Sequence, residues 1–153
     1  GATERCGEDH EPETHLIPIA LKAAAGTLPG LTVFGDDYET PDGTCIRDYI
    51  DVRDLSDAHI LALEALESGT SGVYNLGNGE GWSVLNVLDV VERVTGRKVE
   101  REVGPRREGD PARLVASSAL AESELGWRPK HAELADMVES AWRWTLGHPD
   151  GYA

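Results

Sequence analysis

Arginines set among carboxylates are the residues of this chain whose types and spacing suit chemistry. Arg47 stands in Cys45-Ile46-Arg47-Asp48-Tyr49-Ile50-Asp51-Val52, just after the turn signal Pro41-Asp42-Gly43. A guanidinium on a strand beside a tight turn is held stiffly and can fork onto two phosphate oxygens. The bland alternative is pairing with a flanking acid, Asp42, Asp48 or Asp51. A second group, Pro105-Arg106-Arg107-Glu108-Gly109-Asp110-Pro111, combines two arginines with carboxylates in a stiff loop. Arginine can neutralise a diphosphate, and a carboxylate can accept from vicinal hydroxyls. A surface Arg-Glu pair explains that loop equally well. The loop Gly77-Asn78-Gly79-Glu80-Gly81 follows a strand and opens a helix, but Trp82 or Val84 falls where a dinucleotide fingerprint needs Gly or Ala. It reads as a tight turn. No G-x-x-x-x-G-K-[ST] run is present. His10, His59, His131 and His148 show no metal spacing, and Cys6 and Cys45 read as reduced thiols.

Short strands and helices alternate along the chain, which argues α/β. The pattern predicts a helix over 14–25, capped by Thr14 and stopped by Gly26, with Pro18 in its first turn. A strand is expected over 31–34 and another over 45–52. Asp54 opens an amphipathic helix to Glu67. A strand over 73–76 precedes a helix capped by Ser83 and stopped by Gly96. An edge-like strand over 98–103, an extended run over 113–116, a short helix over 117–125 and a last helix over 134–146 follow. Trp82, Trp127, Trp142 and Trp144 read as core.

With 153 residues the expectation is one domain able to bury a core. The net charge of -14 argues against nucleic-acid or anionic-membrane partners, and any phosphate site must be built locally from arginines. No apolar run approaches the roughly 18 residues of a membrane span, and a cytoplasmic protein is expected. The opening Gly1-Ala2-Thr3, without methionine, suggests a processed, tagged or truncated product.

The stretch Thr40 to Leu55 resembles the signature of the UDP-glucose 4-epimerases, in the extended short-chain dehydrogenase/reductase group. Gly7-Glu8-Asp9-His10, Pro12 to Pro18, Val33-Phe34-Gly35, Tyr74-Asn75-Leu76-Gly77, Gly104 to Pro111, Trp142-Arg143-Trp144 and His148 to Tyr152 fit in family order. The resemblance covers nearly the whole chain but only the second half of the family's length. It implies the C-terminal substrate-binding half of a Rossmann-type fold, without the N-terminal NAD domain. Residues 1–153 would be the UDP-sugar-binding region, with segments of about 45–95 completing the absent domain. Arg47 and Arg107 would clamp the diphosphate, and Asp110 would hold the ribose. Thr32, Val33 and Phe34 would read the uracil, and His15 and Leu16 would lie near the phosphate or uridine. Tyr49 is a weaker candidate on the Arg47 face. Leu114 would favour unmodified glucose and galactose over N-acetylated sugars.

Family members oxidise the sugar at C4 with tightly held NAD and return the hydride to the other face. That requires a Gly-rich NAD turn and a Tyr-x-x-x-Lys pair, and this chain has neither. No catalytic residue is therefore assigned. The resemblance implies a chain that binds the UDP part of UDP-glucose or UDP-galactose but does not epimerise alone, from an enzyme that is a homodimer at full length. Asp51 replaces the family's usual His, and Ser117-Ser118-Ala119-Leu120-Ala121 lacks an acid and a lysine often found there; both read as drift away from the site. Another nucleotide-sugar epimerase or dehydratase of the group, or a non-catalytic nucleotide-binding module, are the alternatives.

Overall fold

The computed structural model describes residues 1–152. Its elements run α1 (Leu16–Ala25), β1 (Leu31–Phe34), β2 (Ile46–Arg47), α2 (Val52–Glu67), β3 (Trp82–Ser83), α3 (Val84–Thr95), β4 (Arg101–Gly104), β5 (Arg113–Leu114), α4 (Ala119–Leu125) and α5 (Leu134–Gly147). The α/β class is as expected, and the sheets are small. β1 pairs in parallel with β4, Leu31 opposite Arg101 and Phe34 opposite Gly104. β2 is the centre of a second sheet, antiparallel to β3 and parallel to β5.

Helix α3 shows why these residues fold this way. Ser83 caps it by accepting from the Asn86 N–H at 3.0 Å, and Gly96 ends it in the left-handed region at φ 66°. Val87, Leu88 and Val91 recur at helical spacing and are buried. They meet Ala20, Leu21 and Ala24 of α1 and Leu134, Val138 and Trp142 of α5 in one cluster that also takes in Val33 of β1. This three-helix layer is the support on which β1 rests. A smaller cluster joins Ala58 of α2, Ala121 of α4 and Trp127. Trp127, Trp142 and Trp144 are buried, and Trp82 packs against the larger cluster.

Several expected boundaries move. α1 starts at Leu16 after His15, which makes no side-chain cap bond, so Thr14 is not the cap. The strand expected over 45–52 is only Ile46–Arg47, because α2 begins at Val52. Its cap is Asp51, whose carboxylate accepts from the Arg53 N–H at 2.9 Å. Asp54, expected to open the helix, is instead a buried clamp. It accepts from the Lys130 N–H at 3.0 Å and the His131 N–H at 2.9 Å, while its carbonyl takes the Trp127 indole N–H at 2.8 Å. Residues 73–76 join no sheet, and Val73 is 89% exposed. The edge-like strand is shifted to Arg101–Gly104, and the short helix starts at Ala119. The tight turn before β2 depends on Gly43, at φ 80°, where a Cβ would run into the Asp36 carbonyl oxygen.

Candidate functional site

Five separate segments, one of them represented by Val84 at the start of α3, enclose a cleft of about 440 Å³. The start of α1 contributes Thr14, Leu16 and Ile19, and β1 contributes Thr32, Val33 and Phe34. The β2 segment contributes Cys45, Arg47 and Tyr49, and the loop after β4 contributes Arg107 and Asp110. The lining combines apolar side chains with two arginines and a carboxylate, a combination that suits a base attached to a phosphate chain.

The two arginines are held differently. The Arg107 guanidinium lies over the Phe34 ring, 4.0 Å from its centroid, a cation–π contact that fixes its plane. The Arg47 guanidinium donates through Nη1 to its own neighbour's carbonyl, Ile46 O, at 2.6 Å and through Nη2 to the Asp110 carboxylate. The Arg47 partner is thus Asp110 and none of the nearby acids Asp42, Asp48 and Asp51. Those three are occupied elsewhere. Asp42 takes the Thr44 N–H at 2.9 Å, the Thr44 hydroxyl at 2.8 Å and the Ser83 hydroxyl. Burial alone would raise the Asp42 carboxyl, but these bonds outweigh it and hold the group below its ordinary value. Asp51 is fully buried and grips Arg53 through Nε at 2.9 Å and Nη2 at 3.0 Å.

Asp48 fills the glycine loop. Its carboxylate accepts from the N–H groups of Asn78 at 3.0 Å, Gly79 at 3.3 Å and Ala116 at 3.1 Å. These amides form the kind of anion-binding concavity that a phosphate would use. The protein's own carboxylate already occupies it, so the loop that resembles a dinucleotide turn does not fit a pyrophosphate.

Tyr49 lies in the cleft wall, and burial pushes its phenol up to about 12. It is a neutral hydrogen-bonding group at ordinary pH and has no lysine beside it to make it a base. Burial likewise raises the Cys45 thiol above its ordinary value.

The cleft brings together Leu16, Thr32, Val33, Phe34, Arg47, Tyr49, Arg107 and Asp110 from among the residues singled out in the sequence. It leaves out two. His15 turns its ring to Glu8 and Glu13, with Nδ1 at 2.8 and 2.9 Å, and does not line the cleft. Leu114 sits on β5 opposite Arg47 in register but is 60% exposed outside the cleft. Arg106, the neighbour of Arg107, is drawn off to Asp37 at 2.6 Å and stacks on Tyr38 at 4.3 Å. Sequence reading missed Thr14, Ile19, Gly30, Leu31, Cys45 and Val84. Cys45 had a signal, since it shares a strand face with Arg47 and Tyr49 at period two.

A family model described as the NAD dependent epimerase/dehydratase family matches residues 3–77. The UDP-glucose 4-epimerase of Halalkalibacterium halodurans is 55% identical over 150 residues, covering 97% of this chain and 45% of that protein. That of Corynebacterium glutamicum is 51% identical, covering 95% of this chain and 44% of that protein. Over nearly its whole length the chain is similar to proteins of the NAD dependent epimerase/dehydratase group. Among solved structures of the family, a UDP-glucose 4-epimerase at 53% identity superposes with a TM-score of 0.92 over 96% of this chain and 45% of that one. The Brucella ovis UDP-glucose 4-epimerase in complex with NAD is 48% identical, with a TM-score of 0.86, over 91% of this chain and 43% of that one. The Bifidobacterium longum enzyme in complex with NAD⁺ and UDP is 39% identical, with a TM-score of 0.82, over 90% and 41%. The chain spans about 45% of the length of the curated relatives it matches. The described helices include none long and apolar enough to cross a membrane.

Proposed function

We propose that this chain is the UDP-binding part of a UDP-glucose 4-epimerase, an isomerase that interconverts UDP-glucose and UDP-galactose. The observation that carries the reading is the convergence of Arg47, Arg107, Phe34 and Asp110 on one cleft. Arg107 and Arg47 neutralise the diphosphate. Phe34 and the β1 backbone lie against the uracil, and Asp110 accepts from the ribose hydroxyls once Arg47 turns to phosphate. The identity of just over half to UDP-glucose 4-epimerases over almost the whole chain supports the same assignment.

NAD supplies hydride transfer at C4 in this family. The described residues offer it no pyrophosphate cradle, because Asp48 fills the glycine loop, and they include no tyrosine paired with a lysine. The contribution of this chain is to hold and orient the nucleotide end of the substrate. In the assignment proposed here residues 1–153 form the UDP-sugar-binding region, and segments within about 45–95 complete a Rossmann domain. The exposure of Ile60, Leu63 and Leu66 on α2 and the unpaired course of residues 73–76 support that division. The whole enzyme is a cytoplasmic homodimer without nucleic-acid partners, in keeping with the net charge of -14.

Calorimetric titration tests the reading. UDP should bind the chain more tightly than uridine or inorganic phosphate alone, since the cleft is lined by both apolar side chains and two arginines. Equal affinity for UDP and phosphate would remove the base-binding half of the assignment.

A further inference from the structure

We propose that Glu8, His10, Glu13 and His15 form a binding site for a divalent transition-metal ion of the Zn²⁺ class. The four offer one ligand atom each, all within 4.8 Å of one another. None of them lines the nucleotide cleft, so the site is independent of the function proposed above.

The arrangement is anchored at Glu13. Its side chain is only 6% exposed, and its Oε1 accepts from the backbone N–H groups of Thr14 and His15 at 2.8 Å each. His15 Nδ1 lies 2.9 Å from that same oxygen and 2.8 Å from Glu8 Oε1. His10 Nδ1 lies 3.8 Å from Glu13 Oε1, and its ring is tilted against that of His15 with centroids 5.2 Å apart. An imidazole nitrogen carries at most one hydrogen, so His15 Nδ1 cannot make a full hydrogen bond to two carboxylate oxygens at once. Two carboxylates therefore converge on one ring nitrogen with an acceptor to spare. A dication would bind both carboxylates and offset their charge.

The donor set selects the ion. Two imidazoles with two carboxylates suit zinc and its first-row neighbours, whereas magnesium and calcium take oxygen ligands. Zinc binds His nitrogen and carboxylate oxygen at about 2.0–2.2 Å in a tetrahedron. Bringing the present cluster to that geometry needs side-chain rotation about ligand atoms that already lie within 4.8 Å of one another. Glu8, His10 and His15 are exposed and can make it, and the ion can enter directly from solvent. Once bound, it would tie the irregular segment 8–13 to the first turn of α1, whose neighbours Thr14 and Leu16 flank the cleft. Spacing along the chain does not signal the cluster, because His10 and His15 are five apart and Glu8 and Glu13 lie on either side of an irregular turn.

The test is titration of Zn²⁺ into the chelator-treated chain, followed by calorimetry and by thermal melting. One Zn²⁺ per chain and an upward shift of the melting midpoint are expected, with no saturable binding of Mg²⁺ or Ca²⁺. Glu8→Gln and His10→Ala should each weaken Zn²⁺ at least about tenfold, while His59→Ala, on α2, should not. Neither Glu8 nor His10 makes a side-chain hydrogen bond to the backbone among the described residues, so circular dichroism of both variants should match the parent. Absence of saturable Zn²⁺ binding, or Zn²⁺ binding that survives both substitutions unchanged, would overturn the proposal.

Discussion

Arg47 and Asp110 form an ion pair inside the cleft, although 63 residues separate them in the chain. One belongs to the central strand of the second sheet and the other to the loop after β4, and β5 carries that loop alongside β2. Both groups are part-buried, so neither is fully hydrated, and each stands ready to exchange its partner for a ligand group. A diphosphate would take the guanidinium and a ribose diol the carboxylate.

This exchange predicts how Asp110 behaves. Asp110→Asn should weaken UDP but leave inorganic pyrophosphate bound as well as before or better, because the Arg47 guanidinium is released for phosphate. Titration of both ligands against the variant checks it. A parallel loss for UDP and pyrophosphate would mean that Asp110 only positions Arg47.

The arginines themselves should carry much of the affinity. Arg47→Ala and Arg107→Ala are each expected to weaken UDP by about 1.5–3 kcal/mol, the range for a charge-assisted hydrogen bond. Arg106→Ala should have little effect, since Arg106 is committed to Asp37 and Tyr38. Three titrations decide this, and a loss at Arg106 as large as at Arg107 would contradict the division of the pair.

Asp48→Ala should destabilise the chain by on the order of 3 kcal/mol, because three backbone N–H groups lose their acceptor together. Chemical denaturation reads it directly. A change below about 0.5 kcal/mol, the scale of an ordinary surface substitution, would show that water replaces the carboxylate at no cost.

Acid should expose the role of Asp51. Burial would raise its carboxyl, but the side-chain and backbone hydrogen bonds from Arg53 prevail and hold it below its ordinary value. A carboxyl depressed in the folded state contributes stability that is complete above its unfolded value of about 3.9 and is lost as pH falls through the folded value. Denaturation midpoints should therefore fall steeply below about pH 4, and less steeply in Asp51→Asn. Identical acid profiles for the two proteins would contradict the assignment.

The parts of this structure legible in the sequence are those fixed by neighbours. β1 runs from Leu31 to Phe34 between two glycines, as read, and α3 has its Ser83 cap and Gly96 stop. The members of the cleft were legible only through resemblance, since no local pattern brings Arg47 to Arg107. What could not be read is the partner choice of acids. Asp48, Asp51 and Asp54 have similar surroundings in sequence, yet one fills a glycine loop, one caps α2 and one clamps residues 130–131. Long-range packing decides among them. The same holds for His15, whose ring is captured by Glu8 and Glu13, and for Leu114, whose side chain faces out from the short strand β5.

A thermal melt of this chain with and without millimolar UDP shows whether the cleft holds a uridine diphosphate. A ligand that binds only the folded state raises the midpoint. One cooperative transition is expected, shifted upward by UDP and not by phosphate alone, with the shift reduced in Arg107→Ala. A cooperative transition that UDP leaves unmoved would contradict it.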